Sequence, residues 1–160
     1  MKDDTVASKK KLSSIALDEA FQSQLRVFGL LRRVMEPYFA TFGISGSQWA
    51  VLIVLYHAKN EGLSSLWLKD IGERLLIRPP SVTGVVDRLH RMGLVIRETS
   101  STDSRAKQVN LTPAGSELVM CILEGHKAKT DRLLGGLTTS ERHQLRQLLD
   151  RMSVHLEKIE

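Results

Sequence analysis

The spacing of apolar residues changes between residues 69 and 111. Residues 69–76 and 79–92 carry apolar side chains every three or four positions, which is the spacing of one face of a helix. Residues 94–99 and 107–111 instead alternate apolar and polar side chains, as strands do. The polar stretch between the two strands predicts a β-hairpin. Two short helices followed at once by a hairpin are typical of a winged helix-turn-helix.

Local signals mark the limits of these elements. Pro79 and Pro80 predict the start of the second helix. Proline has no backbone N–H, and the N–H groups of a first helical turn have no intrahelical acceptor. Gly93 is placed to end it. Thr112 and Pro113 predict an N-cap and a first helical residue after the hairpin. A further helix is therefore expected directly behind the second strand.

Long apolar stripes flank this central region. One stripe spans residues 21–42, where Pro37 predicts a kink or an early end, and another spans residues 145–156. Both stripes need cover, and a shared interface would supply it, so a homodimer is predicted. The fold class is mainly α (α+β), a winged helix-turn-helix with N- and C-terminal dimerisation helices. We predict a disordered tail at residues 1–14, a dimerisation region at 15–44 and 114–160, and the winged domain at 45–113.

Composition narrows the class of protein. The 160 residues carry a formal net charge of +5, which favours anionic partners. No apolar run is long enough to span a bilayer and no signal peptide is evident, so a cytoplasmic location is expected. The five histidines lack metal-ligand spacing, and no nucleophile elbow or phosphate-binding loop occurs. We expect neither enzymatic activity nor a cofactor. Cys121 is expected to be a small buried residue rather than a redox sensor.

Small and basic residues cluster where a winged helix would meet double-stranded DNA. Small or hydroxylic side chains let the N-terminus of the second helix approach bases and phosphates, and the helix dipole attracts phosphate. Flanking arginines can hold the DNA backbone. The hairpin adds two basic residues and one acidic residue at its tip. The predicted DNA-binding residues are Arg78, Pro80, Ser81, Thr83, Gly84, Arg88, Asp103, Arg105 and Lys107.

Two motifs in this order resemble the multiple-antibiotic-resistance regulator (MarR) family. The first comprises residues 77–89 (IRPPSVTGVVDRL) followed by 93–95 (GLV), and is similar to the recognition helix of that family and its exit. The second comprises residues 103–105 (DSR) followed by 109–115 (VNLTPAG), and is similar to the family's wing and the start of the next helix. The resemblance covers roughly residues 20–158 in architecture.

The resemblance implies specific roles. Arg105 would enter the minor groove while Asp103 holds its side chain in position. The first and last helices of two chains would interlock, so that two recognition helices address half-sites about one helical turn apart. The family often has glycine in the turn where this chain has Leu76. The turn is then expected to be less sharp, or Leu76 to pack beneath it.

A small-molecule effector is the least constrained expectation. The family's pocket lies between the dimerisation helices and the winged domain, and a small aromatic acid would need apolar walls and one cation. The candidate effector-binding residues are Arg32, Tyr38, Trp49, His57 and Trp67. The aromatic residues of this set are equally suited to a hydrophobic core.

Three hypotheses of function remain open from the sequence. The first is a ligand-responsive regulator, most often a repressor, that binds a pseudo-palindromic operator as a homodimer. The second is a constitutive DNA binder without ligand control. The third is a winged helix used for protein–protein contact, since a fold does not fix a function. The basic wing favours the first two.

Overall fold

A computed structural model describes residues 18–99 and 107–159. Within these ranges the chain forms six α-helices and one three-stranded antiparallel sheet, which confirms the mainly α class, and no helix there is long and apolar enough to cross a bilayer. The chain divides after Gly46 into two compact units. The predicted tail at residues 1–14 lies outside the described ranges. The elements are α1 (Glu19–Ala40), α2 (Gly46–Asn60), β1 (Leu66–Trp67), α3 (Leu68–Leu75), α4 (Pro79–Arg91), β2 (Val95–Thr99), β3 (Lys107–Leu111), α5 (Pro113–Leu133) and α6 (Thr139–Leu156).

The first unit consists mainly of α1. The Asp18 carboxylate caps this helix by accepting the Phe21 N–H at 3.1 Å. Pro37 lies inside the last turn and the helix ends three residues later, at Ala40. Apolar side chains remain exposed around much of α1, and a helix with this pattern needs cover from other elements. The exposed apolar residues of α1 are Phe21, Leu25, Val27, Phe28, Leu30, Leu31 and Val34.

The second unit contains the winged region. Its core is aliphatic, and α4 contributes one continuous face to it, as the spacing predicts. The two hairpin strands pair in the register Val95↔Leu111 to Thr99↔Lys107. β1 adds a third strand on the far side of β3, with Leu66 opposite Val109. The fully buried side chains of this unit include Val51, Leu52, Ile71, Val82, Val86, Leu89, Val95, Val109, Val119 and Ile122.

Thr112 joins the hairpin to α5. Its Oγ1 accepts the Gly115 N–H at 2.9 Å, which confirms the predicted N-cap. The same hydroxyl donates to the Gly93 carbonyl at 2.7 Å, and the Thr112 N–H donates to the Leu94 carbonyl at 3.1 Å. Gly115 is buried against Leu94. The base of the hairpin and the start of α5 are therefore tied by three hydrogen bonds.

The turn between α3 and α4 is tighter than the sequence suggested. The Ile77 N–H donates to the Gly72 carbonyl at 3.0 Å and the Leu76 N–H donates to the Glu73 carbonyl at 3.2 Å. This pair of bonds is a Schellman motif. Leu76 takes the left-handed conformation at φ 53°, ψ 39°, and its side chain is exposed. The expectations of a less sharp turn, or of a leucine packed beneath it, were both wrong.

Cys121 is exposed, contrary to the expectation of burial. The buried face of α5 is formed by Gly115, Val119 and Ile122. These residues follow helical spacing, and Cys121 lies two positions after Val119, about 200° around the helix. The sequence showed apolar residues in α5 but did not show which of them face the core.

The last helix begins with a capping box. The Thr138 Oγ1 accepts the Glu141 N–H at 3.3 Å, and the Glu141 carboxylate accepts the Thr138 N–H at 2.7 Å. The Thr138 backbone N–H lowers the pKa of the Glu141 carboxyl because it stabilises the charged form. α6 has no buried residue along its described length. Its exposed apolar residues include Leu145, Leu148, Leu149, Met152, Val154 and Leu156.

Candidate nucleic-acid interface

The outward face of α4 brings together most of the predicted DNA contacts. Val82, Val85, Val86 and Leu89 are buried on one side of the helix. Helical geometry places the predicted DNA-binding residues of α4 on the opposite side. A helix face of small and basic residues fits a major groove. Pro80, Ser81 and Arg88 are exposed there, Gly84 is half-buried among them, and Thr83 is half-buried at the edge.

Gly84 keeps this face low. A Cβ added at Gly84 would meet no atom within 4 Å, so the fold itself does not require glycine at this position. Glycine inside a helix costs about 1 kcal/mol relative to alanine. Because Gly84 has no side chain, another molecule can come close to the helix backbone at this position. This supports the prediction that Gly84 lies close to DNA.

The N-terminus of α4 is open on its outer side. Arg78 is exposed at the N-cap position, and its side chain makes no capping hydrogen bond. Its carbonyl accepts the Ser81 N–H at 3.0 Å, which begins the helical hydrogen bonds. Its guanidinium carries a full charge. A phosphate beside this helix end would therefore meet both the helix dipole and a cation.

Arg91 belongs to the same face and was missed from the sequence. It lies seven residues after Gly84, which is about two helical turns, and it is exposed. Its Nε donates to the Asp87 carbonyl at 3.4 Å, a bond that leaves the rest of the guanidinium available. The i, i+7 spacing from Gly84 was the signal that could have identified it. Arg91 extends the basic surface toward the C-terminal end of α4.

An ion pair fixes the wing to the recognition helix. The Arg97 guanidinium on β2 pairs with the Asp87 carboxylate on α4. The Arg97 side chain is only 17% exposed, so the charge pair lies in a partly desolvated position. Its buried Nε has no hydrogen-bond partner within the described ranges. No local pattern predicts this pair, because its members come from different elements.

The remaining predicted contacts are Asp103, Arg105 and Lys107. Asp103 and Arg105 lie outside the described residues, so their roles stay predictions. Lys107 opens β3 opposite Thr99, at the end of the described hairpin. Arg97, which pairs with Asp87, lies in the middle of β2 opposite Val109.

The predicted effector residues fall in both units. In the first, Arg32 is exposed in a groove on α1 with Glu36, and the Tyr38 ring lies 5.3 Å from that of Phe42. In the second, three residues differ in environment. Trp49 is buried with its ring 5.6 Å from that of His126, His57 is exposed, and Trp67 is half-buried on β1. Their common role in a pocket stays a prediction.

Comparison with known proteins adds independent evidence. The MarR family model matches residues 42–106. The chain is 34% identical to the uncharacterised helix-turn-helix regulator YkoM of Bacillus subtilis, over 71% of this chain and 70% of that protein. It is 31% identical to the repressor MdtR of the same organism, over 74% and 75%. The fold matches the crystal structure of an S. aureus MepR–DNA complex with a TM-score of 0.74 at 22% identity, covering 87% of this chain and 98% of that one.

These relatives are transcription regulators rather than enzymes. Their similarity extends beyond the matched motifs into the flanking helices, since it covers more than two thirds of each sequence. These matches indicate the same family as the winged-helix fold and the small and basic face of α4. The chain belongs to the MarR family of helix-turn-helix transcription regulators.

Proposed function

We propose that this protein is a homodimeric repressor that binds a pseudo-palindromic DNA operator and releases it when a small ligand binds. The observation that carries the proposal is the face of α4, where small residues and exposed arginines share the side opposite the core. Its fold relative MepR was crystallised with DNA, and its sequence relative MdtR is named a repressor. Both facts support the proposal.

The DNA contacts divide into two kinds. Ser81, Thr83 and Gly84 present short side chains or none, so α4 enters the major groove closely enough to reach base edges. Arg78, Arg88 and Arg91 bind phosphates and set the position of the helix. Arg105 reads the minor groove from the wing tip, with Asp103 holding it and Lys107 adding charge. The Asp87–Arg97 pair holds β2, the strand that leads into the wing, against α4.

Dimerisation follows from the uncovered apolar faces. Phe28 on α1 is 71% exposed and Leu148 on α6 is 59% exposed, and each lies among other exposed apolar residues. Water-exposed apolar surface of this extent marks an interface. A second copy covers both faces by the same symmetric contact, which also places two recognition helices about one DNA turn apart.

Replacing Arg105 with alanine is the direct test of the wing. The operator is first obtained by in vitro selection from random duplexes, and binding is followed by fluorescence anisotropy at several salt concentrations. We expect Arg105→Ala to weaken binding by about 1–3 kcal/mol, roughly fivefold to 160-fold, because the minor-groove contact is lost. Arg146→Ala removes the same charge from an exposed position on α6 and serves as the control.

The salt series separates the possible outcomes. Wild-type affinity should fall steeply with salt, as the release of counterions from phosphates requires. If selection yields no preferred sequence, or if Arg105→Ala binds like the wild type, the DNA-reading wing is refuted. The first result alone would direct attention to protein–protein contact as the use of this winged helix.

Ligand control has its own measurement. We expect an aromatic carboxylate to raise the free energy of unfolding by about 2.7 kcal/mol at a hundred times its Kd, and to weaken operator binding. Arg32→Ala should abolish both effects, whereas Arg26→Ala, also exposed on α1, should leave them intact. A panel of aromatic acids that changes neither the melting temperature nor the operator affinity would instead identify a constitutive DNA binder.

A further inference from the structure

Leu76 is an outlier in both conformation and exposure. It is the only residue other than glycine with a positive φ within residues 18–99 and 107–159, at φ 53°. Its side chain is 85% exposed, more than that of any other large apolar residue in those ranges. A leucine in the left-handed region brings its Cβ close to the backbone, which glycine or asparagine would avoid.

The turn does not need a leucine. Leu76 occupies the position after α3 where a Schellman motif most often has glycine. The motif is closed by backbone hydrogen bonds from Leu76 and Ile77 and by the close approach of Gly72, where a Cβ would lie 3.0 Å from the Ile77 carbonyl. None of these contacts uses the Leu76 side chain. Its backbone strain and its exposure are therefore both unfavourable in the free protein.

Strained residues that the fold does not require cluster at ligand-binding sites. Leu76 lies three residues before the first residue of α4, at the same end of the helix as Arg78 and Ser81. The neighbouring Ile77 is also exposed, at 39%. An apolar pair thus continues the proposed DNA-binding face toward the turn, directly beside its basic and hydroxylic residues.

We infer that Leu76 contacts apolar carbons of the operator, at the edge of the major groove beside the N-terminus of α4. This inference rests on the proposed DNA-binding function. DNA offers two groups of suitable chemistry at that edge, the C5-methyl of thymine and the carbons of deoxyribose. DNA is favoured over a protein partner as the occupant because the flanking Arg78 and the open helix end both attract phosphate.

The test separates the side chain from the backbone conformation. Leu76→Gly removes both the strain and the side chain, Leu76→Ala removes the side chain alone, and Leu76→Met restores an apolar chain. We expect Leu76→Gly to melt at or above the wild-type temperature yet bind the selected operator roughly tenfold more weakly. Leu76→Ala should bind as weakly, and Leu76→Met within about twofold of the wild type, because methionine substitutes well at apolar contacts.

A control and a modified duplex complete the design. Leu63→Ala removes an exposed leucine from another loop and should leave operator binding unchanged. Duplexes with deoxyuridine in place of thymidine lack the C5-methyl. If the contact is a thymine methyl, this replacement weakens wild-type binding but not binding by Leu76→Gly. If the contact is deoxyribose, the replacement affects both proteins equally.

The outcomes distinguish this inference from the function on which it rests. A wild-type protein that selects no duplex overturns both. A wild-type protein that binds selectively, with Leu76→Gly equal to it, leaves the regulator intact and overturns the Leu76 contact. Unchanged DNA binding with lost repression in cells would likewise overturn it, and would assign Leu76 to a protein partner.

Discussion

Replacing Gly115 with alanine is expected to lower the free energy of unfolding by about 3 kcal/mol or more, at the upper end of overpacking effects. A Cβ at this position would overlap the Leu94 carbonyl oxygen and lie 3.0 Å from its carbonyl carbon. The Leu111 Cδ2 would lie 3.2 Å away. Two of the three neighbours are backbone atoms, so the hairpin base or the start of α5 must move. Urea denaturation followed by circular dichroism measures the loss.

Gly84→Ala provides the matched control, since it adds the same methyl group to another glycine near the N-terminal half of a helix. The fold leaves this methyl free space, so we expect stability to stay equal or rise by up to about 1 kcal/mol. Operator affinity should nevertheless fall, because the methyl raises the surface that faces DNA. If Gly115→Ala proves as stable as the wild type, the close packing of α5 on the hairpin is wrong.

Introducing a charge on the apolar face of α6 is expected to abolish the proposed dimer. Leu145, Leu148, Leu149, Met152 and Leu156 fall within about 100° of the helix circumference, and Leu148 is the most exposed of them. Leu148→Glu would place a carboxylate on the most exposed apolar position of the proposed interface, where desolvation opposes it. We expect a monomer by light scattering and at least a hundredfold weaker operator binding, because two linked half-sites become one.

Gln147→Glu gives the corresponding control one residue away. Gln147 is exposed, and helical geometry turns it away from the apolar stripe. The side chain now bonds to the His143 ring at 3.0 Å, and a carboxylate can replace the amide there. This variant should remain dimeric and bind the operator normally. A dimeric Leu148→Glu protein would show that α6 lies outside the interface.

Elements with local signals could be predicted from the sequence. Pro79 and Thr112 were placed correctly at helix starts, because a proline in a first turn and a threonine N-cap act within a few residues. β1 could not be predicted in the same way. A two-residue strand is too short to show a period, and its partners on β3 lie more than forty residues later in the sequence. The residues of β1 therefore carry no local pattern that indicates this pairing.

The candidate site shows the same division. The small and basic residues of α4 could be predicted from type and spacing alone, whereas Arg91 was missed because it lies beyond the motif at residues 77–89. The Asp87–Arg97 pair depends on how a strand packs on a helix, which no local pattern records. The left-handed conformation of Leu76 contradicts its own propensity, since the turn geometry overrides the preference of a leucine.

The hydrogen bonds around Thr112 have a mechanical consequence. They clamp the base of the wing to the first turn of α5, a rod of 21 residues and about 30 Å. A lateral displacement of the C-terminal end of α5 tilts the helix. We expect the hairpin base, which is hydrogen-bonded to its first turn, to tilt with it. We therefore expect the angle of α5 to set the angle of the hairpin base to which it is hydrogen-bonded.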